Sequence, residues 1–220
     1  IQPYMFLDLH THSVASDDSR ATVEQYIRWS SVLQNKGYRI DGFVLTEHRQ
    51  FDHGLDYTDL SSESGLLILK GAELDTDCGH FLVYGVTKPL TDSIDFSDVN
   101  IDATKLVELC DDLGAIAIPA HPGRAGIGFA EYISAGRTGF ETIGVVEGLN
   151  GSNRPGEGEK AALLIQQRGY LSTGGSDAHI VSAIGTCMTL FKDKITTEAE
   201  LVLALRAGNY NPVMLESSKD

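Results

Sequence analysis

Histidine and acidic side chains recur at the ends of short apolar runs in this sequence. The first example is the pair His10 and His12, in the segment 6–12. Alternate residues of a strand point to one face, so these two imidazoles project together with Asp8. Two neutral imidazoles on one face can bind a divalent metal ion of the kind that activates water in hydrolases. Such a pair is more often a chance surface arrangement, so the prediction depends on the other histidines.

Most of the other histidines lie in similar places. The sequence contains seven histidines, and six of them lie at or beside the end of a predicted strand, most with a carboxylate nearby. They are His10, His12, His48, His80, His121 and His179. Because the carboxyl ends of strands in parallel β/α proteins converge on one face, these side chains should meet there. We therefore expect a shared site for several metal ions, with His53 outside it in a polar rim or loop segment.

The elements that must position these residues alternate between two kinds. Apolar, β-branched runs predict strands over 5–10, 42–46, 66–73, 80–86, 115–120, 143–147, 170–173 and 186–191. Amphipathic segments predict helices over 22–35, 102–113, 157–168 and 197–207. This alternation is typical of βα units around a mostly parallel sheet, so the fold class is α/β. No linker or repeat divides the chain, which predicts one domain.

Composition excludes several classes of partner. The formal net charge is -14, with 31 acidic against 17 basic residues, which argues against a nucleic acid duplex or an anionic membrane as a partner. The three cysteines lack CxxC spacing, so neither a thiolate metal site nor a disulfide framework is expected. No apolar run approaches membrane-spanning length. A reducing, cytoplasmic setting is the expectation.

Read in chain order, the motifs resemble those of the PHP (polymerase and histidinol phosphatase) phosphoesterases. The resemblance rests on segments 8–13, 16–17, 46–48, 71–73, 120–122 and 175–179, with His80. It implies a distorted (β/α)7 TIM-like barrel and one PHP-like metallophosphoesterase domain over residues 1–220. It also implies up to three divalent metal ions, which are zinc, manganese or iron.

The resemblance further implies which residues hold the metal ions. The ligands would be His10, His12, Glu73 and Asp177 for the first ion, Glu73, His80 and His121 for the second, and Asp17, His48 and His179 for the third. Only a carboxylate readily bridges two cations, which suits Glu73. Asp8 is expected to fix the orientation of a ligating imidazole. The chain departs from many family members at Glu47 and Arg49, where they have Asp, and at Asp18, where they have Gly.

The predicted activity is hydrolysis of a phosphate ester of a small molecule. A hydroxide that bridges the two metal ions at Glu73 would attack phosphorus in line, while the metal ions neutralise the phosphoryl oxygens. Asp17, His179 or a water on the third metal ion would protonate the leaving group, and the sequence does not choose among them. The enzyme would then be a metal-dependent phosphoric ester hydrolase.

Several residues are candidates for substrate contacts. Arg124 is the first candidate for a phosphate clamp, because a guanidinium binds two oxygens at once and its loop follows a ligand-bearing strand. The alternative is a solvated loop arginine. Arg20, Arg49 and Arg154 are weaker candidates. Glu147 and Asn150 are expected near the mouth of the site, with an exposed turn as the alternative.

Two other functions stay open. Amidohydrolases use similar clusters on β/α barrels, usually with a bridging lysine, and Lys70 is too close to Glu73 in sequence to take that place. A noncatalytic, regulatory PHP domain is the third possibility. The intact set of ligands argues against it, because domains that have lost activity commonly lose metal ligands. The oligomeric state is open.

Overall fold

Strands and helices alternate along most of the chain. The computed structural model describes residues 4–216. The strands in this range are β1 Met5–Thr11, β2 Gly42–His48, β3 Leu67–Thr76, β4 Gly79–Tyr84, β5 Ile116–Pro119, β6 Val145–Asn150, β7 Leu171–Gly175, β8 Cys187–Phe191 and β9 Tyr210–Met214. The α-helices are α1 Val23–Asn35, α2 Thr58–Ser64, α3 Lys88–Ser93, α4 Ala103–Asp112, α5 Phe129–Ser134, α6 Glu157–Arg168 and α7 Glu198–Ala207. The α/β fold class is thus confirmed.

Seven strands form one mixed sheet in the order β5-β4-β3-β2-β1-β8-β9. Only the pairs β1–β2 and β2–β3 within it are parallel, and the other four are antiparallel. The prediction of a mostly parallel sheet is therefore wrong for this sheet. The tight turn between β3 and β4 is one reason, because it returns the chain directly where a βα unit would insert a helix.

Strands β6 and β7 form a separate parallel pair that lies against the main sheet. The hydroxyl of Thr189 on β8 donates to the carbonyl of Gly174 and accepts from its N–H, at 2.9 and 2.8 Å. Thr11 at the end of β1 also forms a parallel bridge with Ala178, just beyond β7. The main sheet and this pair together make a curled α/β arrangement, and the complete (β/α)7 barrel stays a prediction.

The predicted elements all occur, with shifted ends, and the described residues form four further α-helices and strands. The unpredicted ones are α2, α3, α5 and β9. The three helices have six or seven residues, too few for a clear amphipathic pattern. Strand β9 lies at the edge of the sheet and contains Pro212, which is tolerated at an edge but weakens the strand pattern.

Helix α1 connects the core to the end of β1. Its N-terminus is a capping box, in which the Thr22 hydroxyl accepts from the N–H of Gln25 and the Gln25 side chain accepts from the N–H of Thr22. Tyr26, one turn further on, is fully buried. Its hydroxyl lies 2.7 Å from the carbonyl of His12 and 2.8 Å from that of Ala178. The helix therefore anchors the two segments that carry the predicted metal ligands.

Two expectations from composition can be compared with the described residues. Cys78, Cys110 and Cys187 are buried and form no disulfide, as their spacing predicts. None of the helices found within residues 4–216 is both long enough and apolar enough to cross a bilayer.

Candidate metal centre

Six of the seven histidines meet at the ends of β1 to β5 and in the loop after β7. Together with two carboxylates they form three groups, in each of which the possible ligand atoms lie within 4.8 Å of one another. The first cluster is His10, His12, Glu73 and Asp177; the second cluster is Glu73, His80 and His121; the third cluster is His12, His48 and His179. The structure thus brings together all the predicted ligands except Asp17.

Glu73 lies between the first and second clusters. Its side chain is 1% exposed, and its Oε2 atom lies 3.0 Å from His10 Nε2. Its Oε1 atom lies 2.9 Å from His121 Nε2 and 3.0 Å from His80 Nδ1. The two carboxylate oxygens therefore face different imidazoles, which is the arrangement required of a bridging ligand.

Backbone conformation, as well as strand direction, places these residues. The turn that ends β3 brings His80 opposite Asp75, and it needs Gly79 at φ 96°, where an added Cβ would lie 2.2 Å from the carbonyl oxygen of Ile127. Within residues 4–216 the non-glycine residues with positive φ are Arg49, His121 and Asp177, at 52°, 29° and 55°. All three follow the ends of strands at this site. Strained backbone concentrated in this way is typical of functional sites.

The donor set fits a divalent metal ion. His12 Nε2 and His48 Nδ1 are buried and have no hydrogen-bond partner among the described residues. His12 Nε2 lies only 3.2 Å from Glu73 Oε2, but the geometry is not that of a hydrogen bond. Buried nitrogen atoms without partners are costly, and a cation bound to their lone pairs removes that cost. Imidazole with carboxylate suits zinc, manganese or iron.

Opposed charges shift the pKa values of the buried groups. Burial lowers the pKa of His10, but the carboxylates of Glu147, Asp177 and Glu73 outweigh it and raise this pKa well above its usual value. Burial raises the pKa of Glu73, but His10 and its hydrogen bonds outweigh it and hold this pKa well below the usual range. Burial lowers the pKa of His48 to about 4, so its imidazole is neutral at neutral pH, the form that binds metal.

Glu147 lies beneath the site rather than near its mouth, where sequence analysis expected it. Its side chain is 1% exposed, and its Oε1 atom lies 2.9 Å from His10 Nδ1. Its Oε2 atom accepts from the N–H of His121 at 2.8 Å and from Asn150 Nδ2 at 3.0 Å. Glu147 therefore fixes the orientation of His10, the role that sequence analysis assigned to Asp8.

Asp8 binds backbone N–H groups, whereas sequence analysis expected it to orient an imidazole. Its carboxylate accepts from the N–H groups of Ser176 and Gly185 at 2.8 and 2.7 Å, and from that of His10 at 3.3 Å. Burial raises its pKa to about 6, although these hydrogen bonds act in the opposite direction. Asp8 therefore ties the end of β1 to the loop that carries Asp177.

Arg124 lies at the edge of the first cluster and is 22% exposed. Its Nη2 atom donates to Asp177 Oδ2 at 2.7 Å and to Asn150 Oδ1 at 3.2 Å. Asn150 is 5% exposed, so it lies deeper than the mouth position predicted for it. Glu157, at the start of α6, accepts from the N–H of Ala125 and holds the loop next to Arg124. Arg124 is thus a fixed cation beside a predicted metal ligand, rather than a solvated loop residue.

The other predicted residues lie at the outer edge. Arg49 donates from Nη1 to Asp75 Oδ2 at 3.2 Å. Arg20 is exposed, and its N–H donates to the carbonyl of His179. The side chain of Asp17 is 81% exposed and lies 3.8 Å from Arg49, so the structure does not bring it to His48 and His179. His53 is exposed and lies 2.9 Å from the Thr91 hydroxyl, outside the centre as expected.

Two residues of the site have no role in the sequence prediction. Asp75 lies two residues beyond Glu73 on β3, with its Oδ1 atom 3.5 Å from His80 Nε2. The alternation of β3 is the signal that could have found it. Glu47 accepts from the hydroxyl of Ser16 at 2.5 Å, and this hydroxyl accepts from the N–H of His48. Glu47 therefore connects the end of β2 to the loop after β1.

A family model described as PHP-associated matches residues 155–210. This range contains α6, β7 and α7 and includes Asp177 and His179. No curated protein sequence matches the chain. The match covers only the C-terminal part of the chain, so the rest of the comparison depends on solved structures.

Three solved structures share the fold. A two-domain protein from Bacteroides vulgatus, described as containing a predicted PHP-like metal-dependent phosphoesterase, aligns with 97% of this chain and 65% of its own, at 18% identity and TM-score 0.62. A lesion-specific endonuclease from Pyrococcus furiosus aligns with 97% of this chain and 58% of its own, at 14% identity and TM-score 0.64. An amidohydrolase from Chromobacterium violaceum with bound sulfate aligns with 97% of this chain and 99% of its own, at 15% identity and TM-score 0.59.

These similarities show which fold the chain shares with known proteins. The chain spans just under two thirds of the Bacteroides protein, 65% of its length, and identities of 14 to 18% show shared fold alone. With the PHP-associated match, they support the PHP-domain family that the order of the motifs predicts.

Proposed function

We propose that this protein is a metal-dependent phosphoesterase that hydrolyses a phosphate ester of a small molecule. The observation that supports this most is the position of Glu73, whose two oxygens face His10 on one side and His80 and His121 on the other. A second observation is the guanidinium of Arg124 next to the same centre. Clustered cations and a fixed guanidinium together suit an anionic substrate.

The residues of the three clusters would hold the metal ions. When bound, divalent ions lower the pKa of water and neutralise charge on a phosphoryl group. His10 keeps one orientation because Glu147 fixes its Nδ1 atom, which leaves Nε2 directed to the centre. His179 is fixed similarly, since its Nδ1 atom lies 2.9 Å from the carbonyl of Asp177 and can only donate there. The Nε2 lone pair of His179 is therefore available as a ligand.

Arg124 would bind the phosphate oxygens. Only one of its terminal nitrogens is engaged by Asp177 and Asn150 in the contacts described above. A guanidinium can offer further N–H groups to two oxygens in one plane, which a lysine cannot do. Arg49 and Arg20, at the outer edge, are the candidates for the part of the substrate beyond the phosphate.

Two alternatives rest on specific observations. The amidohydrolase from Chromobacterium violaceum shares the fold, so an amide or lactone substrate is the second candidate. Lys70 does not supply the usual bridging lysine, because its Nζ atom donates to the carbonyls of Asp52 and Leu55. The shared fold of a lesion-specific endonuclease makes DNA the third candidate substrate. A noncatalytic, regulatory domain would not need the complete set of buried donors.

A substrate panel with metal analysis tests the proposal. Purified protein is loaded with Zn²⁺, Mn²⁺ or Fe²⁺, its metal content is measured, and release of phosphate is followed from sugar phosphates, nucleotides, histidinol phosphate and phosphotyrosine peptides. Parallel reactions contain amides, lactones and damaged DNA. We expect metal-dependent phosphate release from at least one small ester. Full metal loading without phosphate release from any of them contradicts the proposal.

A further inference from the structure

The imidazole of His12 has a different polar neighbour at each ring nitrogen. Its Nε2 atom is buried without a hydrogen-bond partner among the described residues, and it lies 3.2 Å from Glu73 Oε2 and 3.5 Å from Asp177 Oδ1. Its Nδ1 atom lies 3.5 Å from the hydroxyl oxygen of Ser16. A neutral imidazole carries one proton, and only the other nitrogen has a lone pair for a cation. The position of that proton therefore decides whether His12 can serve the first cluster.

The hydrogen bonds of Ser16 decide where that proton lies. A serine hydroxyl has one proton to donate and two lone pairs that accept. The proton goes to Glu47 Oε2 at 2.5 Å, because an ionised carboxylate can only accept. One lone pair accepts from the N–H of His48 at 3.0 Å. The second lone pair faces His12 Nδ1, which must therefore be the donor of that contact.

Glu47 is held in the orientation that this arrangement requires. Its two carboxylate oxygens lie 3.0 and 3.1 Å from the backbone nitrogen of Ser13, whose N–H donates to them. Ser13 and Ser16 are 4 and 2% exposed, so water has little access to these contacts. Hydrogen bonds to an ionised group are about twice as strong as those between neutral groups. The proton of the Ser16 hydroxyl is therefore kept on the side of Glu47.

We infer that Ser16 and Glu47 are positioning residues for His12, which they keep as the tautomer with its proton on Nδ1 and its lone pair on Nε2. The inference rests on the metal-binding part of the proposed function. A histidine that binds a metal ion usually donates its other ring N–H to an acceptor, which fixes the ring and makes it a better ligand. Glu147 accepts from His10 directly, at 2.9 Å. For His12 the carboxylate acts through a hydroxyl.

Two buried serines of the same loop provide matched variants. Ser16→Ala removes the hydroxyl next to His12, whereas Ser13→Ala removes a hydroxyl that accepts from the N–H of Ala15 at 3.2 Å. Circular dichroism shows whether both variants fold, and the metal-free proteins are titrated with Mn²⁺ by calorimetry. We expect Ser16→Ala to bind at least one manganese equivalent about 10- to 100-fold more weakly than Ser13→Ala, the usual effect of losing the partner of a ligating imidazole.

Nuclear magnetic resonance observes the proton of His12 itself, which a merely structural role of Ser16 would not change. In ¹⁵N-labelled protein loaded with diamagnetic Zn²⁺, correlations between ring nitrogens and protons show which nitrogen carries the proton. We expect wild-type protein and Ser13→Ala to show an Nδ1–H that exchanges slowly with water, and Ser16→Ala to show rapid exchange. Glu47→Gln keeps an acceptor but loses its charge, so its exchange rate should be intermediate.

The outcomes separate this inference from the proposed activity. A proton on His12 Nε2 in the zinc-loaded wild-type protein would overturn the inference, as would equal manganese affinities in Ser16→Ala and Ser13→Ala. Exchange in Glu47→Gln as slow as in the wild-type protein would overturn the role of Glu47. Neither measurement uses a substrate. A protein that gives the expected affinities and spectra but releases no phosphate contradicts the proposed function and not this inference.

Discussion

The inner and outer halves of the metal centre are held in place in different ways. The inner half consists of His10, Glu73, His121 and Asp177, all at most 3% exposed. The outer half consists of His48 and His179, whose side chains are 12 and 27% exposed. Buried carboxylates and strained backbone fix the inner half. The outer half is carried by the last residue of β2 and by the loop after β7.

The difference in burial suggests that the two halves have different tasks: the inner half holds its side chains in fixed positions, and the outer half remains open to solvent. The inner half has no freedom to rearrange, because Glu147 and Asp8 hold both the imidazole of His10 and the backbone around it. The outer half faces solvent and can exchange a cation or admit a substrate. Substitutions in the inner half should therefore abolish phosphate release, whereas substitutions in the outer half should only reduce it.

The largest effect should come from Glu73→Gln. Glutamine keeps the size of the side chain but loses the charge that bridges two clusters, so we expect phosphate release to fall by about 10³-fold or more. At least one metal equivalent should also be lost. Turnover and metal content are the measurements, and Glu63→Gln on the exposed face of α2 is the matched control. A Glu73→Gln protein with normal turnover would refute the bridging role and the division into halves.

Arg124→Lys tests the boundary between the halves. Lysine keeps the positive charge but cannot bind two oxygens in one plane, and a hydrogen bond to a charged group contributes about 1.5–3 kcal/mol. We expect kcat/KM to fall roughly 10- to 100-fold while metal content stays unchanged. Arg28→Lys on the exposed face of α1 serves as the control. An unchanged kcat/KM would show that phosphate is bound elsewhere.

Glu147→Gln tests whether the inner half depends on its buried support. The amide can turn an N–H towards His10 Nδ1, which removes the acceptor that fixes the imidazole. Loss of such a partner typically weakens metal binding 10- to 100-fold, and we expect this range in a calorimetric titration. Glu141→Gln, at an exposed position, is the comparison. Equal affinities in the two variants would mean that the inner half does not rely on Glu147.

The smallest effect should come from Arg49→Met at the outer edge. Arg49 contacts Asp75 and is 34% exposed, and partly exposed ion pairs contribute at most about 1 kcal/mol. We expect KM for the preferred phosphate ester to rise by about two- to fivefold, with little change in kcat or metal content. A loss as large as that of Arg124→Lys would show that the outer half binds the phosphate itself.

Sequence analysis could predict which residues meet, because each ligand follows an apolar run and strand ends converge. It could not predict the sheet correctly, since the turn at Gly79 makes β3 and β4 antiparallel without any change in their apolar pattern. The role expected of Asp8 belongs to Glu147 for a related reason. Glu147 reaches His10 across 137 residues of sequence, and no local pattern shows which buried carboxylate faces which imidazole.

The assignment of Asp17 has a different origin. Adjacent residues of a tight turn have no periodicity that tells which side chain faces the site, so the motif alone could not separate Asp17 from Asp18. In the structure Asp17 is 81% exposed and lies 3.8 Å from Arg49, whereas Asp18 lies next to His48 and His179. The outer half of the centre was thus less predictable than the inner half, for the same reason that it is less rigid.

Anomalous diffraction from crystals grown with Mn²⁺ and phosphate tests the central claim most directly. The account predicts strong anomalous peaks on both sides of Glu73, a weaker peak between His48 and His179, and a phosphate in contact with Arg124. Absence of anomalous density next to Glu73, in crystals whose manganese content is confirmed, would contradict the account.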